Sequence, residues 1–181
     1  HGWRIYRRSV SFLLAKAIHA LFQAANFSVE HSLGTGLYCN FDLDGHAGIS
    51  EIDLKRVEMR MQELVRQDLP IERSKVAFTT ALQQFEQEGQ TDKFNLLRFR
   101  NPAKIVINWC DGFSDLAHGP MAARTGHLAR FRLIPYPPGF VLQLPDRETP
   151  DQMPRFEPQP HLFQIFREHK EWGRILGVNT V

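Results

Sequence analysis

The chain of 181 residues is poor in cysteine and has no long apolar run. Its two cysteines, Cys39 and Cys110, lie far apart and give neither a disulfide framework nor a CxxC zinc motif. No run of about 18 apolar residues is present, so we expect no membrane span and no membrane partner. The amino-terminal residues lack the apolar core and cleavage site of a signal peptide. These absences predict a reducing, cytoplasmic setting.

The sequence also lacks the motifs of several enzyme classes. There is no GxxxxGKS or GxxxxGKT loop for ATP phosphates and no GxSxG nucleophile turn. HExxH, HxH and HxxxH are missing despite eight histidines, and neither cysteine lies in a recognisable catalytic motif. The motifs therefore identify no catalytic residue, no metal ligand and no cofactor in this part of the protein.

Acidic residues are missing before Glu30, whereas Arg4, Arg7, Arg8 and Lys16 all lie in that stretch. The net charge of the whole chain is only +2, too small to require a nucleic-acid partner. The local excess is suited to an anion such as a phosphate. A solvated basic helix, with acidic neighbours supplied by the fold, explains the same residues, and the sequence leaves both interpretations open.

Apolar periodicity predicts helices and strands that alternate without βαβ regularity. A helix is expected at 8–22, followed by strands at 27–33 and 37–41 around a Gly34-Thr35-Gly36 hairpin turn. Ser50 is expected to cap the amide of Asp53 and open a second helix that ends at 68–70. Further helices are expected near 79–89 and 92–99, and further strands at 71–78, 103–109, 128–134 and 140–144. We predict an α+β fold with a largely antiparallel sheet and packed helices.

The carboxyl-terminal part has a different composition. Residues 145–160 are rich in proline and predict a surface strap. A closing helix is expected to pack one apolar face, formed by Leu162, Ile165, Phe166, Trp172, Ile175 and Leu176.

Residues 42–53 resemble the loop of a calcium-binding EF-hand. His46 occupies a ligand position and is a poor ligand for Ca²⁺, while Ala47 stands where the sharp turn needs glycine. A polar loop before a capped helix explains these residues better, so we do not predict a calcium site.

A second group of candidate ligands lies at 111–127. His118 and His127, with Asp111 and Asp115, are residue types that hold zinc or act as an acid–base pair. Their spacing matches no common signature. Ordinary hydrogen-bonded loop residues are the preferred interpretation.

Several segments, taken in order, resemble one known family. They are SFLLAKAIHALF (11–22), GLYC (36–39), ISEIDLKRVEMRMQEL (49–64), FEQEGQTDK (85–93) and DLAHGP (115–120). Together they resemble the second additional, editing-type domain of threonyl-tRNA synthetases, which is related to the alanyl-tRNA editing proteins. The resemblance covers roughly residues 6–145 and implies the fold of that domain.

The resemblance also implies a cleft that has lost its chemistry. In that family, HxxxH on the first helix and CxxxH around a Gly-Pro serve metal binding or hydrolysis of a mischarged ester. The two helix histidines fall on Arg8 and Phe12, and the cysteine and second histidine fall on Ala117 and Met121. Ala and Phe supply no ligand or base, and Arg is permanently charged. Editing by the family's residues is therefore not expected.

A narrower resemblance concerns YRRSVSFLL (6–14), VEHSLG (29–34) and YPPGF (136–140). These segments are similar to the amino-terminal region of uridine kinase-like proteins, in which such a domain precedes a P-loop kinase. The resemblance implies a division into an editing-like domain at 1–145 and, at 146–181, a Pro-rich strap and helix leading toward a kinase domain. ATP and Mg²⁺ are then expected for the kinase of the parent protein, not for this part.

The resemblance finally implies a non-catalytic accessory domain of a uridine kinase-like nucleoside kinase, with a ligand-binding or regulatory role. Its partners would be the kinase domain of the same chain and a nucleoside or nucleotide, with a homo-oligomer as a further option and no tRNA. Two alternatives stay open: a cleft closed by apolar side chains in a domain that only spaces or dimerises the kinase, and a hydrolase of mischarged aminoacyl-tRNA with a rebuilt active site. The residues expected to line the cleft are Arg8, Phe12, His31, Tyr38, Asp115 and His118.

Overall fold

The computed structural model describes residues 2–97 and 102–175. The helices are α1 (Gly2–Leu21), α2 (Glu51–Gln67), α3 (Phe78–Gln87), α4 (Thr91–Leu97) and α5 (Pro160–Ile175), with a 3₁₀ turn at Thr125–His127. The strands are β1 (Asn26–Leu33), β2 (Gly36–Leu43), β3 (His46–Ala47), β4 (Glu72–Ala77), β5 (Lys104–Cys110), β6 (Phe113–Leu116), β7 (Arg132–Tyr136) and β8 (Gly139–Gln143). The strands pair antiparallel, so the predicted α+β fold is confirmed. None of the helices described is long and apolar enough to cross a membrane.

The larger sheet has the strand order β1–β2–β8–β7, with β3 added to the end of β2. The predicted hairpin between β1 and β2 is confirmed, since Leu33 pairs with Gly36 across a two-residue turn. Gly34 has a φ of +59° there, a left-handed conformation that glycine adopts without steric cost. The register shifts between Val29 and His31, which marks a β-bulge in β1.

One face of this sheet packs against α1 and α2 and forms the main core. The side chains of β2 alternate, so Leu37, Cys39 and Phe41 face the helices while Tyr38 faces the other side. The helices contribute a set of fully or nearly fully buried residues: Val10, Leu13, Leu14, Ala17, Ile18, Leu54, Val57, Met61 and Leu64. Apolar residues that recur every second position in the strand and every 3.6 positions in the helices therefore form one shared apolar layer.

The second helix begins and ends as the sequence predicts. Ser50 Oγ accepts a hydrogen bond from the Asp53 amide at 3.1 Å, the expected cap. Asp68 ends α2 in the left-handed conformation, with a φ of +47°. Thr125 in the 3₁₀ turn then donates to the Leu64 carbonyl at 2.6 Å and fastens the end of α2 to the rest of the fold.

A smaller sheet has the order β4–β5–β6. Helices α3 and α4 cover one of its faces, where Phe78, Ala81, Phe85, Leu97 and Ile107 form a separate apolar cluster. Strand β6 lies in a segment interpreted from the sequence as loop, and that interpretation is wrong. Asp111 and Gly112 both have positive φ, the geometry of a two-residue hairpin turn. The predicted fourth helix is confirmed up to Leu97; the residues predicted beyond it lie outside those described.

Strand β7 lies later in the chain than predicted: residues 128–131 are not part of it, and it continues beyond the expected end at 134 to Tyr136. The Tyr6 hydroxyl accepts from the Arg130 amide at 2.9 Å and donates to the Arg130 carbonyl at 2.8 Å. A side chain of α1 therefore satisfies the backbone groups that a strand ladder would otherwise use.

The strap and α5 cover the face of the larger sheet opposite to the main core. Gln143 donates to the Pro154 carbonyl at 2.7 Å and fixes the strap. We call this surface the α5 face; it consists of His31, Leu33, Tyr38, Tyr136, Val141, Phe156, Phe163 and Phe166. The boundary at 145/146 stays a prediction, and the segment after it packs onto the sheet.

The apolar face predicted for α5 is wrong in part. Ile165 is 51% exposed and Trp172 is 63% exposed, whereas Phe163 is buried. The helix turns Phe163 and Phe166 inward because the rings of Tyr38 and His31 lie beneath them. Leu176 lies outside the described residues.

Candidate functional site

A cleft of about 1050 Å³ runs along α1 between the two sheets. Its walls come from the beginning of β1, from β6 with the loop that follows, and from the turn between α3 and α4, and Arg147 of the strap also reaches it. The volume lies at the upper end of the range usual for small-molecule sites. The cleft is open and not closed by apolar side chains, while a purely architectural role of the domain stays an alternative.

One face of α1 follows the cleft over most of its length. The lining positions recur every three or four residues, at Arg4, Arg8, Ser11, Phe12, Ala15, Ile18 and His19. Val10, Leu13 and Leu14 lie on the opposite side and are buried in the main core. The amphipathic pattern that places α1 on the sheet therefore also presents this set of side chains to the cleft.

The cleft is strongly basic. Four guanidinium groups and one ammonium group line it, from Arg4, Arg7, Arg8, Arg147 and Lys93. Within the described residues its lining contains one carboxylate, Asp115, whose Oδ1 lies 2.9 Å from Lys93 Nζ. In the same part of the chain, no carboxylate lies within 4 Å of the four guanidinium groups. Like charges repel one another and a bound anion relieves that repulsion, so this arrangement favours an anion.

Arg8 is held against the wall by the backbone. Its Nη1 donates to the Pro120 carbonyl at 2.7 Å. The guanidinium lies so close to Gly119 that a Cβ at that position would overlap it. Asp115, the carboxylate of the described lining, pairs with Lys93 and not with Arg8. Arg8 is therefore oriented by a neutral carbonyl and keeps its full positive charge.

Phe12 lies one turn after Arg8 and closes the floor of the cleft. Its ring packs against Phe113 with 5.4 Å between centroids, in a cluster with Cys110. Only 2% of Phe12 is exposed, which leaves little ring surface for stacking a base. Burial raises the pKa of the Cys110 thiol, so the sulfur is protonated and does not act as a nucleophile at neutral pH.

The four candidate ligands at 111–127 are not assembled into one site. His118 and Asp115 line the cleft, but Asp111 lies 3.5 Å from Lys16 and is 63% exposed. His127 belongs to the 3₁₀ turn. Among residues 2–97 and 102–175, no three His, Cys, Asp or Glu side chains are grouped so as to hold a metal ion.

A polar network shapes the wall formed by the α3–α4 turn. The Glu88 carboxylate accepts hydrogen bonds from the Ser114 amide at 3.0 Å and from the Ser114 hydroxyl at 2.8 Å. Gln90 donates to the same carboxylate at 2.6 Å and to the Ser114 carbonyl at 2.8 Å. These bonds occupy the outer edge of β6 and fix Gly89 and Gln90 at the cleft.

His31 and Tyr38 do not line the cleft, which corrects the expectation for both. They lie on the α5 face, where the His31 ring stacks on Phe166 at 3.9 Å between centroids and on Tyr38 at 5.2 Å. Tyr38 is 4% exposed and also contacts Phe163. Because β2 directs Leu37 toward the cleft, the next residue must point away from it.

The cleft also contains Lys93, Gln90 and Arg147, which were not predicted from the sequence, although Lys93 lies in one of the segments that carry the family resemblance. The basic stretch at the amino terminus was the available signal for Arg4 and Arg7. Lys16, from the same stretch, is buried and donates to the Cys110 and Asp111 carbonyls at 2.9 and 2.6 Å. Lys16 does not line the cleft as Arg4 and Arg7 do, because position 16 falls on another face of α1.

No protein-family model matches the chain. Curated proteins that are similar to it in sequence include several threonine–tRNA ligases. The threonine–tRNA ligase of Geobacter sp. strain M21 is 34% identical over 129 residues, which cover 71% of this chain and 20% of the relative. The chain is similar to one segment of a threonine–tRNA ligase. The ligase of Carboxydothermus hydrogenoformans is 31% identical over 134 residues (74% and 21%), and that of Listeria welshimeri is 32% identical over 131 residues (72% and 20%).

The similarity to threonyl-tRNA synthetases that the sequence motifs indicate is confirmed over about seven tenths of the chain. The observed α+β fold agrees with an editing-type domain of those enzymes. The chain spans about a fifth of the length of the curated relatives that it matches.

Proposed function

We propose that this chain is a non-catalytic, ligand-binding accessory domain of a uridine kinase-like nucleoside kinase, and that its cleft binds a nucleotide. The observation that carries the proposal is the charge of the cleft. Four arginines line it without a described carboxylate partner, and its one carboxylate is already paired with Lys93. Arginine is the side chain best suited to phosphate recognition, because its fork makes two parallel hydrogen bonds.

The side chains at the positions of the family's active groups support binding instead of hydrolysis. Arg8 and Phe12 replace the two helix histidines, and neither a permanently charged guanidinium nor an apolar ring accepts a proton or binds a metal. Met121 replaces the second histidine and lies in the cleft, where a thioether is only a weak acceptor. Ala117 supplies no functional group at all. An ester bound here would lack both a base and a metal-activated water from these positions.

The kinase part of the proposal concerns the whole protein. It is supported by the resemblance of 6–14, 29–34 and 136–140 to uridine kinase-like proteins. These 181 residues contain no P-loop, so no lysine and amide cradle is available here for ATP phosphates. We expect ATP-dependent phosphorylation of uridine, with Mg²⁺, from the full-length protein and none from residues 1–181.

Titration calorimetry of the 181-residue chain with UMP, UTP and ATP tests the binding proposal. Arg8→Gln keeps an amide donor for the Pro120 carbonyl and removes the charge. We expect it to weaken nucleotide binding about ten- to a hundredfold, the effect of losing a charged hydrogen bond worth roughly 1.5–3 kcal/mol. Binding should also become less dependent on salt. Arg132→Ala, an exposed residue outside the cleft lining, is the matched control and should bind as the wild type does.

The outcomes separate the candidate functions. No heat with any of the three nucleotides at millimolar concentration would remove the binding proposal and favour a purely architectural domain. Deacylation of seryl-tRNA by the chain, abolished by His118→Ala, would favour the rebuilt hydrolase, and so would about one bound zinc per chain after mild purification.

A further inference from the structure

The cleft is polarised along α1. Arg4, Arg7 and Arg8 lie near the beginning of the helix, and Arg147 of the strap lines the same cleft. From Ala15 onward most lining side chains are apolar, namely Ala15, Ile18, Phe22, Ala25, Phe27 and Leu37, with His19, Gln23 and Ser28 as the polar members of this stretch. Since an α-helix rises about 1.5 Å per residue, the positions from Arg4 to His19 span roughly 22 Å. A ligand that uses both halves must be long, anionic at one end and apolar at the other.

The basic half contains more charge than one phosphate neutralises. A phosphate monoester carries about −1.5 to −2 charges at neutral pH. Arg4 and Arg147 form no ion pair or side-chain hydrogen bond with another described residue. Arg7 donates to the Ser32 hydroxyl at 3.1 Å, a neutral partner. Two or three linked phosphates reach and neutralise these groups better than a single one does.

The apolar half offers a surface for a flat ring. Phe22 and Phe27 are half-buried, so part of each ring faces the cleft. Phe22 packs edge-to-face with Phe41 and Phe27 stacks on Phe140, with centroids 5.6 and 6.3 Å apart, which fixes their positions. The Arg56 guanidinium lies 5.6 Å from the centroid of the Phe22 ring and covers part of it. Aromatic surfaces of this kind bind bases with little sequence preference, since every base has a π-face.

We infer that the ligand of the cleft is a nucleoside di- or triphosphate, with its phosphates at Arg4, Arg7, Arg8 and Arg147 and its base in the apolar half near Phe22. This inference rests on the proposed function, because it names the ligand class and the orientation of the ligand in the same cleft. It adds the number of phosphates that the ligand carries and the orientation of the ligand in the cleft, and each can be tested separately.

The phosphate count is tested by titrating the 181-residue chain with UMP, UDP and UTP in buffer with EDTA. Each added phosphate gains charged hydrogen bonds, so we expect UTP to bind at least about tenfold more tightly than UMP. Arg4→Ala should remove most of this difference while affecting UMP little. Arg132→Ala removes the same charge elsewhere and should leave the ratio unchanged.

Inorganic tripolyphosphate tests the direction. It occupies the basic half alone, so it should bind about tenfold or more weakly than UTP and compete with it. Ala15→Leu, a substitution that suits a helix, narrows the apolar half. It should weaken UTP binding and leave tripolyphosphate binding as it is.

Each result has a defined meaning. Equal affinities for UMP and UTP would overturn the inference and leave the proposed nucleotide site standing. Tripolyphosphate binding as tight as UTP, or an Ala15→Leu variant that binds UTP normally, would show a plain polyanion site and overturn the orientation. Failure of all three nucleotides to bind would instead remove the proposed function itself.

Discussion

The cleft and the α5 face lie on opposite sides of strands β1 and β2, and they differ in the residues that line them. In the cleft, arginines are held by neutral groups such as the Pro120 carbonyl and the Ser32 hydroxyl. On the α5 face, aromatic rings contact one another at centroid distances between 3.9 and 6.3 Å. The charged groups of the cleft are available to a ligand, whereas the side chains of the α5 face pack against one another. Substitution of a cleft arginine should therefore affect binding, whereas truncation of a buried ring on the α5 face should affect stability.

The largest stability effect is expected on the α5 face. Phe163 is buried and its ring lies 4.8 Å from Tyr38 and 4.9 Å from Tyr136 between centroids. Phe163→Ala should lower the free energy of unfolding by about 3 kcal/mol, because it removes a buried ring and leaves a cavity. Urea denaturation measures this change, and the affinity for UTP should stay the same.

Ile165→Ala is the matched control in the same helix. Ile165 is 51% exposed, so its truncation should change the free energy of unfolding by about 0.5 kcal/mol or less. Similar losses for Phe163→Ala and Ile165→Ala would show that α5 is not packed on the sheet in solution, and the contrast between the two regions would then fail.

A smaller effect is expected from the polar network of the cleft wall. Glu88→Gln places an NH₂ group where the carboxylate accepts from the Ser114 amide, the Ser114 hydroxyl and Gln90. Charged hydrogen bonds of this kind contribute about 1.5–3 kcal/mol, so we expect a loss near the lower value at this half-buried site. Since Gln90 lines the cleft, UTP binding should weaken as well.

Glu86→Gln serves as the comparison for Glu88→Gln, because Glu86 is exposed and lies two residues away. It should alter neither stability nor binding. If Glu88→Gln lowers stability without changing UTP affinity, the wall is structural only, and the network plays no part in shaping the site.

Much of the fold could be predicted where local signals decide it. The Ser50 cap and the Gly34-Thr35 turn depend on neighbouring residues, and both were identified. Strand β6 was missed although Asp111-Gly112 is a recognised hairpin signal. An apolar strand before it and the short Phe113–Leu116 run after it complete that pattern.

The candidate site was predicted only in part, because some residues lie on the other face of the sheet and others come from segments distant in sequence. Tyr38 was placed in the cleft although it alternates with Leu37, which faces the main core. His31 follows a bulge that no sequence signal announces, and the bulge places it beside Tyr38. Lys93 and Arg147 reach the cleft from α4 and from the strap, which lie far from α1 in sequence. Their positions depend on tertiary packing, which periodicity does not encode.

The smallest effect under physiological conditions concerns the ionisation of the α5 face. Burial raises the pKa of Tyr38 to about 12, and the nearby Glu30 carboxylate acts in the same direction. The Gly139 amide and Arg167 oppose the shift. A raised folded-state pKa means that the native protein holds this proton more tightly than the unfolded chain does. The resulting stability is therefore fully present below about pH 10 and is lost as the pH rises toward about 12.

Tyr38→Phe isolates this contribution. Tyr6 and Cys39 also have raised pKa values, so the wild type loses stability at high pH for more than one reason. The difference in free energy of unfolding between the wild type and Tyr38→Phe should stay constant up to about pH 10 and then shrink, because the variant has no phenol to ionise. Urea midpoints measured across that range give the difference directly. A difference that is independent of pH would mean that Tyr38 ionises as freely in the native protein as in the unfolded chain. The α5 face would then be open to water, and the contrast with the cleft would lose its basis.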